Sequence, residues 1–256
     1  MQWEVRDLAV LRIATYNIHK GMSQFNRRMT VHELSGQLKQ LHSDIIFLQE
    51  VQGENALKAK RYETWPREPQ HEFLAGTLSH RVAYGQNASY DGGHHGNAIL
   101  SRFPILNWEN QDVSVNALEK RGLLHCEIEI PCWPQTVHCI CVHLNLLGHD
   151  RTKQLRVLRQ RIESMVPDGA PLIIAGDFND WRQQAAKVLT HDLQLREAFE
   201  TLHGMPARSF PSRLPVLTLD RIYFRGFKIE HAQVHAGQPW SRISDHAPLS
   251  ATMRRV

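Results

Sequence analysis

The chain has 256 residues, 42% of them hydrophobic, enough for a sizeable core in one large domain or two small ones. Its formal net charge of +4 is spread along the chain, which tolerates an anionic substrate without marking a nucleic-acid binder. No apolar run approaches membrane-spanning length, and the opening MQWEVRDLAV carries Glu4 and Asp7 and no apolar core, unlike a signal peptide, so a soluble cytoplasmic protein is expected.

Leu11–Tyr16 (LRIATY) predicts a strand that ends in Asn17. After a polar loop over Gly21–Met29, Thr30 and Glu33 have the spacing of a capping box. Val31, Leu34, Leu38 and Leu41 continue that helix at helical spacing. A second strand, Ile45–Leu48, ends in Gln49 and Glu50. Strand, helix and strand form a βαβ-like unit in which both strands finish in a polar group at the same end. From Gly53 to Leu78 the pattern is weak, with Trp65 and Pro66 in a charged loop and a helix around Glu72–Leu78. Between Val82 and Val142 the strand candidates are Val82–Tyr84, Asn97–Ser101, Val113–Val115, Gly122–Ile130 and Val137–Val142, with no strong helix, which suggests antiparallel meanders. Gly92–Gly96 (GGHHG) reads as a turn or mobile loop, because no helix follows it as a phosphate-binding fingerprint requires.

Val137–Val142 runs into His143. Asp150 then caps a helix with Leu155, Leu158, Ile162 and Met165 inward, stopped by Pro167 and Gly169. Its outer face carries Arg151, Lys153, Arg156, Arg159 and Arg161, either a solvated face or one that binds phosphate. In Pro171–Trp181 (PLIIAGDFNDW), Leu172–Ala175 is an unbroken apolar run, the mark of a strand buried on both faces. It stops at Gly176, Asp177, Phe178 and Asn179. Those polar groups form either an ordinary turn, with Asp177 capping the next helix, or a pair of free heads that need a partner. Weaker helices follow near Gln184–Leu189 and Leu195–Leu202. Val216–Leu219 ends in Asp220 and Ile222–Phe224 continues; Ser244, Asp245 and His246 precede a last strand, Leu249–Met253. The cysteines Cys126, Cys132, Cys139 and Cys141 contain no C-x-x-C pair, so they are expected to be free, with Cys139 and Cys141 as small core residues on one strand face.

The two halves share a strand–helix–strand pattern with polar strand ends, and no Gly-, Ser- or Pro-rich linker separates them. The expectation is a single α+β domain over residues 1–256, two mixed β-sheets packed face to face with helices outside.

Six strand-adjacent positions, Asn17, Glu50, His143, Asp177 with Asn179, Asp220, and Asp245 with His246, suggest one shared cleft at the sheet edges. The set has no cysteine and no serine beside an obvious base, which leaves acyl transfer through a nucleophilic triad poorly supported. Hard oxygens such as those of Glu50 and Asn17 suit magnesium or manganese, and a histidine beside carboxylates suits activation of water. Together they describe hydrolysis of a phosphate ester.

LRIATYNIHKG, DIIFLQEV, HGNAILSRFPI, VHLNL, IIAGDFND, LDRIYF and SDHAPL resemble, in order, the motif series of the endonuclease/exonuclease/phosphatase superfamily, from Leu11 to Leu249. The HHGNA and GDFNDW details are most similar to a bacterial subgroup, the YbhP type. The resemblance implies a four-layer αββα sandwich with a divalent metal, Mg2+ or Mn2+, at one end. It puts the metal carboxylate on Glu50, supported by Asn17, with Asp245 beside the metal. It gives Asp177 and Asn179 the positioning of water and phosphate, His246 the place of the catalytic histidine, and Asp220 that of the acid orienting it. Asp177 and His246 each remain able to activate the water. His143 stands where nucleases of the family often carry tyrosine and phospholipid-cleaving members carry histidine.

Arg121 as a phosphate clamp, Asn97, His95, and Trp181 as a pocket wall or a core residue are secondary candidates. The expected substrate is a phosphate ester, a small or lipid-derived phosphodiester ahead of nucleic acid. The basic helix from Arg151 to Arg161 offers peripheral contact with DNA or an anionic membrane. A catalytically inactive binding scaffold and a nucleic-acid binding module are the competing classes. The first has no need of competent residue types at every position, and the second none of a carboxylate-lined cleft.

Overall fold

A computed structural model describes residues 9–256, and the acidic opening lies mostly outside them. The described elements are β1 Val10–Asn17, α1 Val31–Gln40, β2 Ile45–Asn55, α2 Ala56–Arg61, α3 Gln70–Leu78, β3 Arg81–Tyr90, β4 Gly93–Ser101, β5 Ile105–Asp112, β6 Gly122–Ile128, β7 Val137–His143, α4 Gly148–Met165, β8 Leu172–Asp177, α5 Gln184–Ala186, β9 Arg196–Glu197, α6 Ala198–His203, β10 Asp220–Arg225, β11 Phe227–Val234 and β12 Leu249–Arg255. They build two mixed sheets of order β11–β12–β1–β2–β4–β3 and β5–β6–β7–β8–β10–β9. Each sheet holds one parallel pair, β1/β2 or β7/β8, and its other pairs are antiparallel in matching places. The internal symmetry expected from the sequence is therefore a symmetry of strand order.

Alternation of side chains along the strands explains the layers. Ile13, Ile45, Phe47 and Ile99 of the first sheet share one core with Cys126, Cys139, Cys141, Ile173, Ala175 and Phe224 of the second. The opposite faces are buried too. Ala14, Tyr16, Ile46, Leu48 and Leu100 pack on Val31, Leu34 and Leu38 of α1 and Leu74 of α3. Ile140, Val142, Leu172 and Ile174 pack on Leu155, Leu158 and Ile162 of α4. The result is the expected four-layer αββα sandwich. Buried on both faces, β2 and β8 read as continuous apolar runs. Cys126, Cys139 and Cys141 are free and buried, and Cys132 is free and exposed.

Several local expectations differ from the structure. Thr30 makes no capping bond; its hydroxyl donates to Ile243 O, and Glu33 instead pairs with Arg28 at 2.8 Å. Asp150 lies inside the first turn of α4 rather than at its cap, because its carboxylate serves Asn116, Asn145 and His149. Gly93–Gly96 is not a loop but the start of β4, and Val113–Val115 lies outside any strand. The strand there is β5, a mostly exposed edge whose ILNWENQD lacks an apolar face. Strand β11 escaped notice because a bulge between Ile229 and His231 interrupts its alternation. Val216–Leu219 is loop, and Asp220 begins β10 rather than ending a strand. Among the described residues, no helix is long and apolar enough to cross a membrane.

The basic face of α4 does not exist as a stripe. Arg151 and Arg161 are buried, and Arg161 reaches Glu109 at 2.9 Å and Gln111 at 3.1 Å while donating to His125 Nδ1 at 3.2 Å. Arg159 pairs with Glu163 and Asp192. The expected outer face breaks up because long arginine stems can turn inward when acceptors wait for them.

Candidate active site

Topology assembles the site. Strands β1 and β2 run parallel, as do β7 and β8, so their C-terminal ends lie on one side. Antiparallel β10 and β12 begin where β8 and β1 end. Asn17, Glu50, His143, Asp177, Asp220, Asp245 and His246 are thus delivered to one end of the sandwich from both sheets.

Asp177 is the hub. In register it faces His143 across the parallel pair and Asp220 across the antiparallel one. Its Oδ2 accepts from Asn17 Nδ2 at 3.1 Å and lies 3.6 Å from His143 Nε2 and 3.7 Å from His246 Nε2. Its Oδ1 accepts from the Asn179 backbone N–H at 2.9 Å, and Asn179 Nδ2 donates to Leu144 O. The carboxylate is therefore divided: one oxygen closes the turn, as the first reading expected, and the other joins the cluster. Asp177 does not cap the following helix; it is Asp180 that accepts from Ala185 N–H there.

The imidazole of His246 is fixed through Nδ1, 2.8 Å from Asp220 Oδ2. Ser209, whose hydroxyl donates to that same Oδ2, braces the acid from behind. His246, Asp220, Asp177 and His143 are all buried.

Burial sets the electrostatics and the partners decide its sign. Burial by itself would strip the proton from His246, but the carboxylates of Asp220 and Asp177 outweigh it and hold the imidazole charged well above its usual range. Burial raises Asp177 above the usual carboxylate range, and nearby Asp220 adds to the rise, against the opposing His246 and Asn17. His143 is kept neutral, first by burial and then by Arg121. Burial also works against the charge of Glu50, yet the positive charge around it, that of Lys20 included, holds that carboxyl ionised, at about 2.

Glu50 occupies an unusual backbone position. Its φ is 55°, inside a bulge where β2 shifts register against β4 between Leu48 and Val51. A non-glycine residue there stores strain of about 1–3 kcal/mol. The kink lets Gln49 turn into the inter-sheet core, donating to Thr15 and Cys141, while Glu50 turns to the site. Glu50 lies 3.7 Å from Lys20 Nζ, and Asp245 lies 3.4 Å from His19 Nδ1; both carboxylates are one-fifth exposed. Ser244 donates to Asn17 O at 2.7 Å, fastening the Asp245 loop to β1.

Two donor sets could hold a cation. Asp177, Asp220 and His246 offer three atoms within 4.8 Å of one another. His246 Nδ1 is already bonded to Asp220 Oδ2 and the protonated imidazole supplies the positive charge, although Asp220 Oδ1 is buried without a partner. Glu50 and Asp245, each one-fifth open to solvent, and the amide oxygen of buried Asn17 are the better fit for Mg2+ or Mn2+, since they are hard oxygens, with Glu50 held anionic.

The secondary candidates divide. His95 lies near enough to Glu50 and Lys20 to feel both charges, and its buried Nδ1 has no partner. Arg121 is beside the site but pairs with Glu119 at 3.0 Å. Asn97 is a buried tie between the sheets, donating to Gly122 O at 3.0 Å and Cys141 O at 3.5 Å. Trp181 is on the surface, not in the core, with the Arg151 guanidinium 5.0 Å over its ring. The sequence reading missed His19, Lys20, Ser209 and Ser244. Lys20 and Ser244 sit inside the NIHKG and SDHAPL motifs, whereas Ser209 carries no signal at all.

The Endonuclease/Exonuclease/phosphatase family model matches residues 14–246, which span every strand end of the site. The chain belongs to that family. It is 45% identical over 240 residues to the uncharacterized protein YbhP of Escherichia coli (strain K12), covering 94% of each chain. The fold is similar to that of an endonuclease/exonuclease/phosphatase from Beutenbergia cavernae, with a TM-score of 0.75, 18% identity and coverage of 96% of this chain and 72% of that one. It is also similar to that of D. rerio TDP2 complexed with a single-strand DNA product, with a TM-score of 0.71, 22% identity and coverage of 96% and 99%. Members of this endonuclease/exonuclease/phosphatase family are in general phosphoric ester hydrolases that use a divalent metal.

Proposed function

We propose that the protein is a divalent-metal-dependent phosphodiesterase that cleaves a small or lipid-derived phosphodiester with activated water; a phosphomonoester is the simpler variant of the same chemistry. The observation that carries this reading is the buried chain Asp220–His246–Asp177, joined by His143 and Asn17 and set beside Glu50.

In this reading Asp177 is the base that takes the water proton. Asn17 Nδ2 and the Asn179 turn fix its orientation, and burial gives it the proton affinity a base needs. His246 is held as an imidazolium by Asp220, so it serves to bind a non-bridging phosphate oxygen and not to accept a proton. Neutral His143 donates from its Nε2 side toward Asp177 or the phosphate. The water oxygen bonds to phosphorus, the ester oxygen leaves and is protonated from solvent, and Asp177 returns its proton to water. Glu50, Asp245 and Asn17 would hold Mg2+ or Mn2+, which supplies charge neutralisation at the phosphate.

The lipid-derived preference is supported by His143, a histidine where tyrosine is common among nucleases, and by the loss of the basic stripe on α4 as a track for a DNA backbone. The nuclease reading draws on the fold shared with TDP2, which binds a single-strand DNA product. A side-by-side assay tests both: bis(p-nitrophenyl) phosphate, glycerophosphodiesters, phospholipid vesicles, abasic duplex, and single-stranded DNA and RNA, each with Mg2+ and Mn2+. Turnover of glycerophosphodiesters or phospholipid is expected. Cleavage confined to the nucleic acids would replace the proposal with the nuclease reading.

A further inference from the structure

We propose that the loops around this site form an apolar, positively flanked rim that seats the protein on an anionic lipid surface; it rests on the lipid-derived branch of the reading above. Three loops leave the site: 113–121 before β6, 144–147 after His143, and 178–183 after Asp177. Asp150 and Arg151 bind them together from beneath. Asn116 and Asn145 both donate to Asp150 Oδ2, at 2.8 Å and 3.2 Å. Arg151 Nη1 donates to Asn145 O and Leu146 O, while its guanidinium lies over the Trp181 ring. Glu119 accepts from Leu146 N–H at 3.5 Å.

These loops turn their polar groups inward and their apolar groups outward. Leu118 is 96% exposed, Leu147 55%, Leu146 53% and Trp181 41%. The loop leading to Asp220 adds exposed Leu214 and Val216. A single exposed leucine is ordinary, but apolar side chains gathered on braced loops around one site mark a contact surface.

Charge selects the occupant. Lys120, Lys153 and Arg182 are exposed on the same loops and the first two turns of α4. The acids there are occupied: Glu119 pairs with Arg121, and Asp150 and Asp180 are buried. A basic side chain near an anionic leaflet is drawn to it, and apolar side chains entering the interface add to the binding. Single-stranded nucleic acid would instead call for a platform of aromatics, and this rim has one tryptophan among leucines.

The test is co-sedimentation with vesicles of phosphatidylglycerol and phosphatidylcholine, against phosphatidylcholine alone. Wild-type protein should bind the anionic vesicles, and the combined Leu118→Ser, Leu146→Ser, Leu147→Ser variant should bind at least about tenfold more weakly. Tryptophan emission should shift to the blue on binding, and Trp181→Phe should remove most of that shift. Hydrolysis of bis(p-nitrophenyl) phosphate should be the same in the triple variant as in wild type. Failure of wild type to bind, equal binding by the triple variant, or rim-dependent binding of single-stranded DNA in place of vesicles would each overturn the proposal. Vesicle binding without turnover of any phosphodiester would sink the catalytic reading alone, since sedimentation does not depend on catalysis.

Discussion

Asp177 and Asp220 face each other directly across the antiparallel β8–β10 pair, with His246 Nδ1 2.8 Å from one carboxylate and Nε2 3.7 Å from the other. Like charges opposite one another destabilise a sheet, so this pair is sustained by the imidazolium between them. Three residues from three chain segments thereby depend on one another for their protonation states.

Asp220→Asn should therefore change the pH profile as well as the rate. The Asp220 charge raises the His246 pKa, so its removal lowers that pKa, and the imidazolium disappears at lower pH than in wild type. The alkaline limb of kcat/KM should move to lower pH, with a rate loss of about 10²–10³ for one lost electrostatic contact. Profiles measured on a soluble phosphodiester check this; an unmoved alkaline limb would take His246 out of the anion-holding role.

Glu50→Gln keeps the shape and removes the charge of the carboxylate held ionised beside Lys20. Weaker Mn2+ binding is expected by calorimetry, with turnover down about 10²-fold or more at fixed metal. Wild-type turnover across metal concentrations would show that the metal is held elsewhere.

Glu197 offers a pH effect on stability far from this chemistry. Its buried carboxylate accepts from the backbone N–H groups of Glu200 and Ile222. Burial raises it from 4.5 to about 7. The folded state thus binds the proton more tightly than the unfolded one, so this group's contribution is present at low pH and is lost as pH rises toward 7. The whole effect is about 3 kcal/mol. Glu197→Gln, which retains an acceptor and cannot ionise, should gain on wild type as pH rises from 5 to 8 in urea titrations. A difference that stays constant with pH would contradict it.

Gly96 belongs to HHGNA, and the structure explains the glycine. A Cβ there would lie 1.8 Å from Gly85 O and 3.0 Å from Gln86 Cα, both backbone atoms of the neighbouring strand. Gly96→Ala should cost about 1–3 kcal/mol or more, read as a lower Tm. Gly36, mid-helix in α1 with nothing within 4 Å of its would-be Cβ, is the control: Gly36→Ala should stabilise by about 0.5–1 kcal/mol.

Residue pattern alone determined the sandwich, because it depends on periodicities that side chains impose locally. The two-sided apolar runs of β2 and β8 and the helical spacing of α1 and α4 required no knowledge of the rest of the chain. The polar residues at the strand ends were legible for the same reason, since they break those runs abruptly.

Tertiary structure decided what each of them touches. That Asp177 serves a turn with one oxygen and a cluster with the other depends on strands from both sheets meeting at one end. The bulge that aims Glu50, the inward turn of Arg151 and Arg161, and the bracing of Asp220 by Ser209 left no periodic trace. Hydrogen bonds and ion pairs across 11 to 160 positions of sequence are set by where strands end in space, and spacing along the chain does not encode that distance.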